Sequence, residues 1–221
     1  THAAMAKSAP KILRASEPPS DLDAIKLPIA LAGASWYRIC HKKYPSCIYW
    51  SRSGDYRFDS PRARWGVCYS GGAITSAFQE VWGDVMRKQG RLDWLKLKEL
   101  VVWKIDVDPA LKTVELAGTS LATVKATVQC FVTSYPLSQR WGAAFMLHPD
   151  HIDGLQYIGR RCGRTCLALF GDKDHPKAHQ LTLRETRLGV LPEWRDLWAI
   201  ISAANVRVYN LPAVVPPTTW G

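Results

Sequence analysis

The segment 65–88 constrains the fold more than any other part of this 221-residue chain. It opens with a short apolar run that is typical of a strand and reaches a turn at Ser70-Gly71-Gly72. Apolar side chains then recur at the spacing of one helix face, and Gly90 is placed to end that helix. They are Ile74, Ala77, Phe78, Val81, Trp82, Val85 and Met86. The segment therefore predicts a strand, a tight turn and an amphipathic helix.

Similar short patterns continue along the chain. Helical spacing occurs at 137–147 and 191–203. Strand-like runs lie at 34–39, 100–107, 113–116, 154–158, 165–170 and 206–209. Helices interspersed among short strands are typical of a mixed α/β or α+β domain, and a hydrophobic content of 47% supplies its core. We expect residues 1–27 to form a peripheral arm, residues 28–212 a single domain and residues 213–221 a C-terminal coil.

The chain is strongly basic, with a formal net charge of +10. Such a charge favours anionic partners, which include nucleic acids, acidic proteins and phosphorylated small molecules. The lysines and arginines are scattered, however, and form no basic run of the kind that marks a nucleic-acid-binding arm. Both a solvated basic surface and a basic binding protein remain open interpretations.

The six cysteines do not indicate a disulfide framework, because the chain is long and rich in core residues and we expect no secretory leader. A reducing cytoplasm fits best. Cys162 and Cys166 form one pair at a loose spacing, and the His148–His151 segment lacks zinc-site spacing, so we expect no metal. We also expect no membrane span, because no apolar stretch approaches the roughly 20 residues that one requires.

Four segments, taken in order along the chain, carry a resemblance to a known family. The first three are WYRI with Arg38, YRFDSPRARWGVCYS with Arg57 and Tyr69, and AFQE with Glu80. The fourth is SQRWGAAF followed by DGLQYIGRRCGRTCLALFGD. This ordered set resembles the RES family, which is named for its Arg, Glu and Ser. The set is specific, although no single motif is. On this resemblance, residues 28–212 form the RES domain.

The resemblance implies a fold similar to the ADP-ribosyltransferase core, a mixed β-sheet split around an NAD cleft and flanked by helices. Members of the family cleave the nicotinamide–ribose bond of NAD with water or phosphate as acceptor, or transfer ADP-ribose to a protein. Many are toxins that are neutralised by an antitoxin with a helix-turn-helix part. No such segment is evident here, so the expected partners are NAD as substrate, a separate antitoxin chain and a protein that accepts ADP-ribose. Neither a membrane nor a directly bound nucleic acid is expected.

The resemblance also assigns the site residues. Arg38 and Arg57 are the candidates for the diphosphate, because a guanidinium offers planar, bidentate donors, and Arg160 is a further candidate. Tyr69 would form an aromatic wall. Glu80 would stabilise positive charge on the ribose in an oxocarbenium-like state, so the catalytic set is Glu80, Arg38 and Tyr69. Without the resemblance, such residues are more often surface arginines, rim tyrosines and solvated glutamates.

One position departs from the family pattern. Gly159 stands where that pattern has its Ser, and either a hydroxyl of Ser134, Ser138 or Thr165 substitutes for it, or the alignment is offset, or this member binds NAD differently. The departure and the positive charge motivate a second hypothesis. In it, the chain is a catalytically weakened basic protein that binds nucleic acid or an acidic partner.

Overall fold

The computed structural model describes residues 15–33, 35–107, 111–171 and 183–212. Most of the predicted arm (1–14), the first residue of the predicted strand 34–39 and the predicted coil 213–221 lie outside these ranges. The strands are β1 (Ile29–Leu31), β2 (Ser35–His41), β3 (Val67–Gly71), β4 (Arg91–Asp93), β5 (Leu100–Val107), β6 (Lys112–Leu116), β7 (Gly154–Ile158), β8 (Thr165–Phe170), β9 (Leu183–Val190) and β10 (Arg207–Tyr209). The helices are α1 (Ile74–Gln89), α2 (Trp94–Leu97), α3 (Ser120–Thr123), α4 (Gln129–Val132), α5 (Tyr135–Met146) and α6 (Arg195–Ala203).

Eight of these strands form one mixed sheet in the order β1-β6-β7-β8-β3-β2-β5-β9. Only β6 and β7 are parallel among the neighbours in this sheet. The two halves of the sheet meet at β2 and β3 through a single residue pair, Tyr37 with Gly71. The other side of β3 is fully paired with β8, from Val67 to Gly71. The sheet is therefore mixed and split, as predicted for a mixed α/β (α+β) single domain.

Helices cover both halves of the sheet. The half that contains β6, β7 and β8 shares a core with α5, in which Trp141 and Phe145 are fully buried. The half that contains β2 and β5 shares a core with α1 and α6, through Phe78 and Leu197. None of the helices in the described ranges combines the length and apolarity that crossing a bilayer requires.

The predicted strand, turn and helix at 65–88 is confirmed as β3 followed by α1. Gly90 ends α1 in the left-handed conformation, at φ 61°, and its N–H bonds to the carbonyl of Met86. Ala77 and Phe78 are buried, but Val81 is 54% exposed although it belongs to the predicted apolar face. The reason is that Val81 faces the cavity described below.

The described part of the predicted arm, residues 15–27, packs on α5. Leu22 and Leu27 are buried in the core that α5 shares with the sheet. Trp141 Nε1 donates to the carbonyl of Ser16 at 2.8 Å. The boundaries at 28 and 212 remain predictions.

Candidate active site

A cavity of about 370 Å³ lies at the split in the sheet, between β2 and β3. Its lining includes every residue that the sequence analysis assigned to the site, namely Arg38, Arg57, Tyr69, Glu80 and Arg160. These residues come from β2, the loop before β3, β3 itself, α1 and the turn after β7. The fold thus brings together side chains that lie up to about 120 residues apart in the sequence.

The lining is rich in arginine and tyrosine. Six of the eight tyrosines in the chain line it: Tyr37, Tyr49, Tyr56, Tyr69, Tyr135 and Tyr157. Four arginines also line it, and Glu80 is the single carboxylate among the lining residues that the structure describes. Four positive charges and one negative charge give the wall a formal charge of +3. Such a surface suits a ligand that carries both aromatic rings and negative charge.

Arg57 is buried at 8% exposure, although it carries a charge. Its guanidinium lies over the ring of Tyr157 at 5.2 Å and donates to the carbonyl of Ile158 at 3.3 Å. In the parts of the chain that the structure describes, no carboxylate forms an ion pair with it. A buried charge without a counter-ion is unfavourable, and an anion in the cavity would supply one.

Arg38 bridges the split in the sheet. It extends from β2, and its Nη1 donates to Cys68 Sγ on β3 at 3.1 Å and to the carbonyl of Tyr49 at 3.3 Å. Within the described ranges it also has no carboxylate partner. Because a guanidinium has five N–H donors, Arg38 retains donors for a ligand.

Tyr69 lies at the centre of β3, and its hydroxyl is fully engaged inside the protein. It donates to Asp59 Oδ1 at 2.9 Å and accepts from the N–H of Phe58 at 3.0 Å. Burial, together with the negative charge of Asp59, raises the pKa of Tyr69 well above its usual range, so the hydroxyl remains protonated. The ring, which lies 5.7 Å from that of Tyr56, is the part that can serve as a wall.

Asp59 shapes the loop that carries Arg57, and sequence reasoning did not identify it. It is fully buried, and four further donors converge on Oδ2. They are Ser51 Oγ at 3.2 Å, Ser53 Oγ at 3.2 Å, Gly54 N at 3.1 Å and Tyr56 N at 3.3 Å. The signal available in the sequence was the set of small residues Ser51, Ser53 and Gly54 a few positions before Asp59, which is typical of a loop bonded to a side chain.

Glu80 lies on α1 and holds the turn after β7. Its Oε1 accepts from the backbone N–H groups of Arg161, at 2.9 Å, and Cys162, at 3.1 Å. Its side chain is 21% exposed, and Oε2 lies 4.0 Å from Arg161 Nη1. No hydrogen bond to Oε2 comes from the residues that the structure describes. One oxygen of this carboxylate is therefore fixed, and the other is available to a ligand.

The arginines of this turn have different partners. Arg160 lies over the ring of Tyr135, at 5.9 Å from the centroid. Arg161, which was not predicted, bonds through Nη2 to Asp84 Oδ2 at 2.6 Å. This hydrogen bond lowers the pKa of Asp84 from 3.8 to about 2. Glu80 and Asp84 are spaced i, i+4 on one helix, which is a sequence signal for a shared cation.

The space around Gly159 explains why a serine does not fit there. A Cβ at this position would lie 2.5 Å from Cys162 Sγ, 2.6 Å from Glu80 Oε1 and 2.8 Å from Cys166 Sγ. Real Cβ atoms are essentially never so close to other atoms. The two thiols and the carboxylate thus surround the position that a side chain would take, and a serine would require them to move.

None of the three hydroxyls considered as substitutes lines the cavity. Ser134 Oγ caps α5 by accepting from the N–H of Leu137 at 3.4 Å. Ser138 Oγ donates to the carbonyl of Ser134 at 2.8 Å, inside the same helix. Thr165 is exposed at the start of β8. Ser51 and Ser70 are the serines that the cavity lining contains in the described ranges.

Comparisons with known proteins agree with this architecture. The family model of the RES domain matches residues 35–195. A chain in the crystal structure of the M. tuberculosis MbcT–MbcA toxin–antitoxin complex is similar in fold, with a TM-score of 0.56 and 15% sequence identity. The likeness covers 80% of this chain and 91% of that chain. No curated protein gives a significant sequence match.

Proposed function

This chain belongs to the RES domain family, and from that membership we propose that it consumes NAD by breaking the bond between nicotinamide and ribose. The cavity is the observation that carries the proposal. It combines four guanidinium groups, six tyrosines and one carboxylate, and NAD combines a diphosphate, two aromatic bases and two riboses. The domain that performs this reaction is proposed to span residues 28–212, which contain the matched residues 35–195.

The diphosphate would be held by Arg57 and Arg38. Both guanidinium groups lack a carboxylate partner among the described residues, and both have donors that no protein atom uses. A diphosphate supplies two negative charges and several acceptor oxygens, which arginine binds in bidentate geometry. Arg160, on the turn beside them, is proposed as an additional contact.

Bond cleavage would depend on Glu80. When the glycosidic bond breaks, its electron pair moves to the pyridinium nitrogen, nicotinamide leaves uncharged, and positive charge develops on the ribose. A carboxylate that is already oriented by two backbone N–H bonds stabilises this charge with little reorganisation. The ring of Tyr69 would form the wall beside the leaving group. Water, phosphate or a protein side chain then bonds to the anomeric carbon.

The direct test is the incubation of purified protein with NAD, with and without phosphate, followed by mass spectrometry of the products. We expect free nicotinamide together with ADP-ribose, its phosphorylated form or an ADP-ribosylated protein. Glu80→Gln should slow the loss of NAD by at least about 100-fold. Glu115→Gln, at an exposed position on β6, is the matched control and should react like the parent. Equal rates of NAD loss in the parent and in Glu80→Gln would show that Glu80 takes no part in the reaction.

We further propose that the chain is the toxin of a toxin–antitoxin pair and acts in the cytoplasm. The fold likeness to a chain of a toxin–antitoxin complex supports this step. The antitoxin would be a separate chain with a helix-turn-helix part. Expression of the parent should arrest growth, and expression of Glu80→Gln at the same level should not. Continued arrest by Glu80→Gln would separate toxicity from NAD consumption.

The second candidate function is the binding of nucleic acid or an acidic partner without catalysis. The net charge of +10 and the glycine at position 159 favour it. It predicts association with DNA or RNA that weakens steeply as salt is added. A fluorescence-anisotropy titration that detects no binding at low salt would exclude the nucleic-acid form of this hypothesis.

A further inference from the structure

Three side chains with metal-ligating atoms meet beside Gly159. Glu80 comes from α1, Cys162 from the turn after β7 and Cys166 from β8, and their ligand atoms all lie within 4.8 Å of one another. In the part of the chain that the structure describes, no other three His, Cys, Asp or Glu side chains meet in this way. The spacing of the two cysteines did not predict this site, because the third ligand lies about 80 residues earlier.

The distance between the thiols matches that of two ligands on one zinc ion. Cys162 Sγ and Cys166 Sγ are 3.7 Å apart. Because zinc–sulfur bonds are about 2.3 Å long and meet at the tetrahedral angle, two thiolates on one zinc ion lie about 3.8 Å apart. The two sulfurs would therefore hardly need to move to bind the ion.

The absence of a side chain at residue 159 provides the space. The point at which its Cβ would lie is 2.5, 2.6 and 2.8 Å from the three ligand atoms. Any residue other than glycine would fill the gap around which these atoms are arranged. Residue 159, where this sequence departs from the family pattern, is therefore also the residue whose missing side chain leaves space between the two sulfurs and the carboxylate.

The ligands are held by the fold before any ion binds. Glu80 Oε1 is oriented by the N–H groups of Arg161 and Cys162, and Cys166 belongs to β8, in register with Tyr157 on β7. Because two N–H bonds already occupy Oε1, an ion at this point shares Oε1 with them or pairs with Oε2 after a small rotation of the carboxylate. Two sulfurs and one oxygen favour zinc-class ions over magnesium or calcium, which prefer oxygen alone.

We propose that Glu80, Cys162 and Cys166 bind a thiophilic divalent cation of the zinc class and that the bound ion inhibits the enzyme. Each thiol gives up its proton when it binds the ion. Three protein ligands leave the fourth position for water. The binding rests on the geometry of the three side chains. The inhibition rests on the proposed function, because an ion bound to either oxygen neutralises the negative charge that the positively charged ribose requires.

Direct binding is tested on the full chain, freed of metal and kept reduced with a phosphine, by titration with Co²⁺ and then Zn²⁺. We expect one equivalent of Co²⁺ to give a thiolate-to-cobalt charge-transfer band and Zn²⁺ to remove it. Cys162→Ser and Cys166→Ser should each weaken Zn²⁺ binding by at least about 100-fold. Cys130→Ser, at a buried thiol bonded to Ser16 and Thr127, is the matched control and should bind like the parent.

A second measurement needs no variant. Alkylation of the parent followed by peptide mass spectrometry should show that one equivalent of Zn²⁺ protects Cys162, which is partly exposed, and leaves the labelling of Cys40, which is also partly exposed, unchanged. Unaltered labelling of Cys162, or a missing charge-transfer band, would overturn the site. Equal Zn²⁺ affinity in the parent and in a folded Cys162→Ser variant would do the same.

Inhibition is measured as the fraction of NAD consumption that each protein loses when Zn²⁺ is added. The parent should lose most of its activity at one equivalent and regain it with a chelator, whereas Cys162→Ser should lose little at that concentration. If Zn²⁺ binds through these cysteines and NAD consumption does not change, the proposed inhibition is wrong, whereas the proposed metal site is supported. If the metal-free parent does not consume NAD, the proposed function fails independently of the site.

Discussion

Asp59 and Glu80 each hold one loop of the cavity wall through backbone N–H bonds, but the two carboxylates are used differently. Asp59 is fully buried, and its oxygens accept bonds from five donors in the loop 51–59 and in Tyr69. Glu80 is partly exposed and accepts two backbone bonds through Oε1 alone. Its second oxygen is left for the cavity.

This difference separates a carboxylate that stabilises the fold from one that can react. A fully buried carboxylate whose two oxygens already accept bonds from the protein holds its loop in place and is out of reach of a ligand. A carboxylate that is held through one oxygen keeps its orientation and still offers the other. We therefore expect substitutions at Asp59 to affect stability first and substitutions at Glu80 to affect the reaction first.

The largest effect on stability should come from Asp59→Ala. It leaves five donors without their acceptor, and we expect a loss of about 3–5 kcal/mol in the free energy of unfolding. Urea denaturation measures it. Asp23→Ala, at an exposed position, is the control and should stay within about 0.5 kcal/mol of the parent. Equal values for the two variants would show that Asp59 contributes little.

A smaller effect, on activity, should come from Arg57→Lys, since the Asp59 loop positions this arginine. Lysine retains the charge and loses the planar fork, so we expect kcat/KM for NAD to fall by about 10–100-fold. Steady-state kinetics measure the change. Arg62→Lys, at an exposed position between that loop and β3, should behave like the parent. A normal kcat/KM in Arg57→Lys would mean that the loop is not shaped for the diphosphate.

Tyr69→Phe tests whether a residue that bonds to Asp59 and also lines the cavity affects stability more than the reaction. It removes one hydroxyl that bonds to Asp59 and Phe58, and we expect the free energy of unfolding to fall by about 1–2 kcal/mol. NAD consumption should change by only a few-fold because the ring remains. Tyr44→Phe, at an exposed tyrosine, is the control. A loss of activity as large as that of Glu80→Gln would instead assign a proton-transfer role to the Tyr69 hydroxyl.

The smallest effect concerns pH and the Glu80 side of the cavity. Asp84 is bonded to Arg161, and its pKa is lowered from 3.8 to about 2. A lowered carboxyl pKa stabilises the fold above pH 4, and this contribution is lost as the pH falls from about 4 to about 2. The parent should therefore have a slightly higher Tm than Asp84→Asn at pH 7, and the difference should vanish near pH 2. A difference that is constant over this range would contradict the ion pair.

The local features of the fold were the most predictable from sequence. The strand, turn and helix at 65–88 follow from apolar periodicity within one segment, and the structure confirms them. The strand β9 was missed because Leu183–Val190 is a mostly solvated edge strand with arginines and a glutamate, and its pattern shows little apolar alternation. The short helices α3 and α4 were missed because four residues are too few to show a period.

The resemblance to a family identified candidate residues that periodicity could not, and the structure places all five of them around one cavity. The partners that fix these residues were not predictable in the same way. The bond from Arg161 to Glu80 joins residues that lie far apart in the sequence, and the bond from Tyr69 to Asp59 joins a strand to an irregular loop. A single sequence carries no direct signal of either contact. The tyrosine lining was missed for the same reason, because each tyrosine looks like an ordinary core or rim residue when taken alone.

The single residue pair between β2 and β3 has a mechanical consequence. A sheet with a full ladder opens only when several hydrogen bonds break together, each worth about 1 kcal/mol. Here the ladder between the two halves is reduced to the pair of Tyr37 and Gly71, and side chains form the other contacts. Arg38 bonds to Cys68, and one buried core packs Trp36 of β2 against Leu167 and Leu169 of β8. The width of the cavity between β2 and β3 is therefore set by side-chain packing across the split rather than by a ladder of backbone hydrogen bonds.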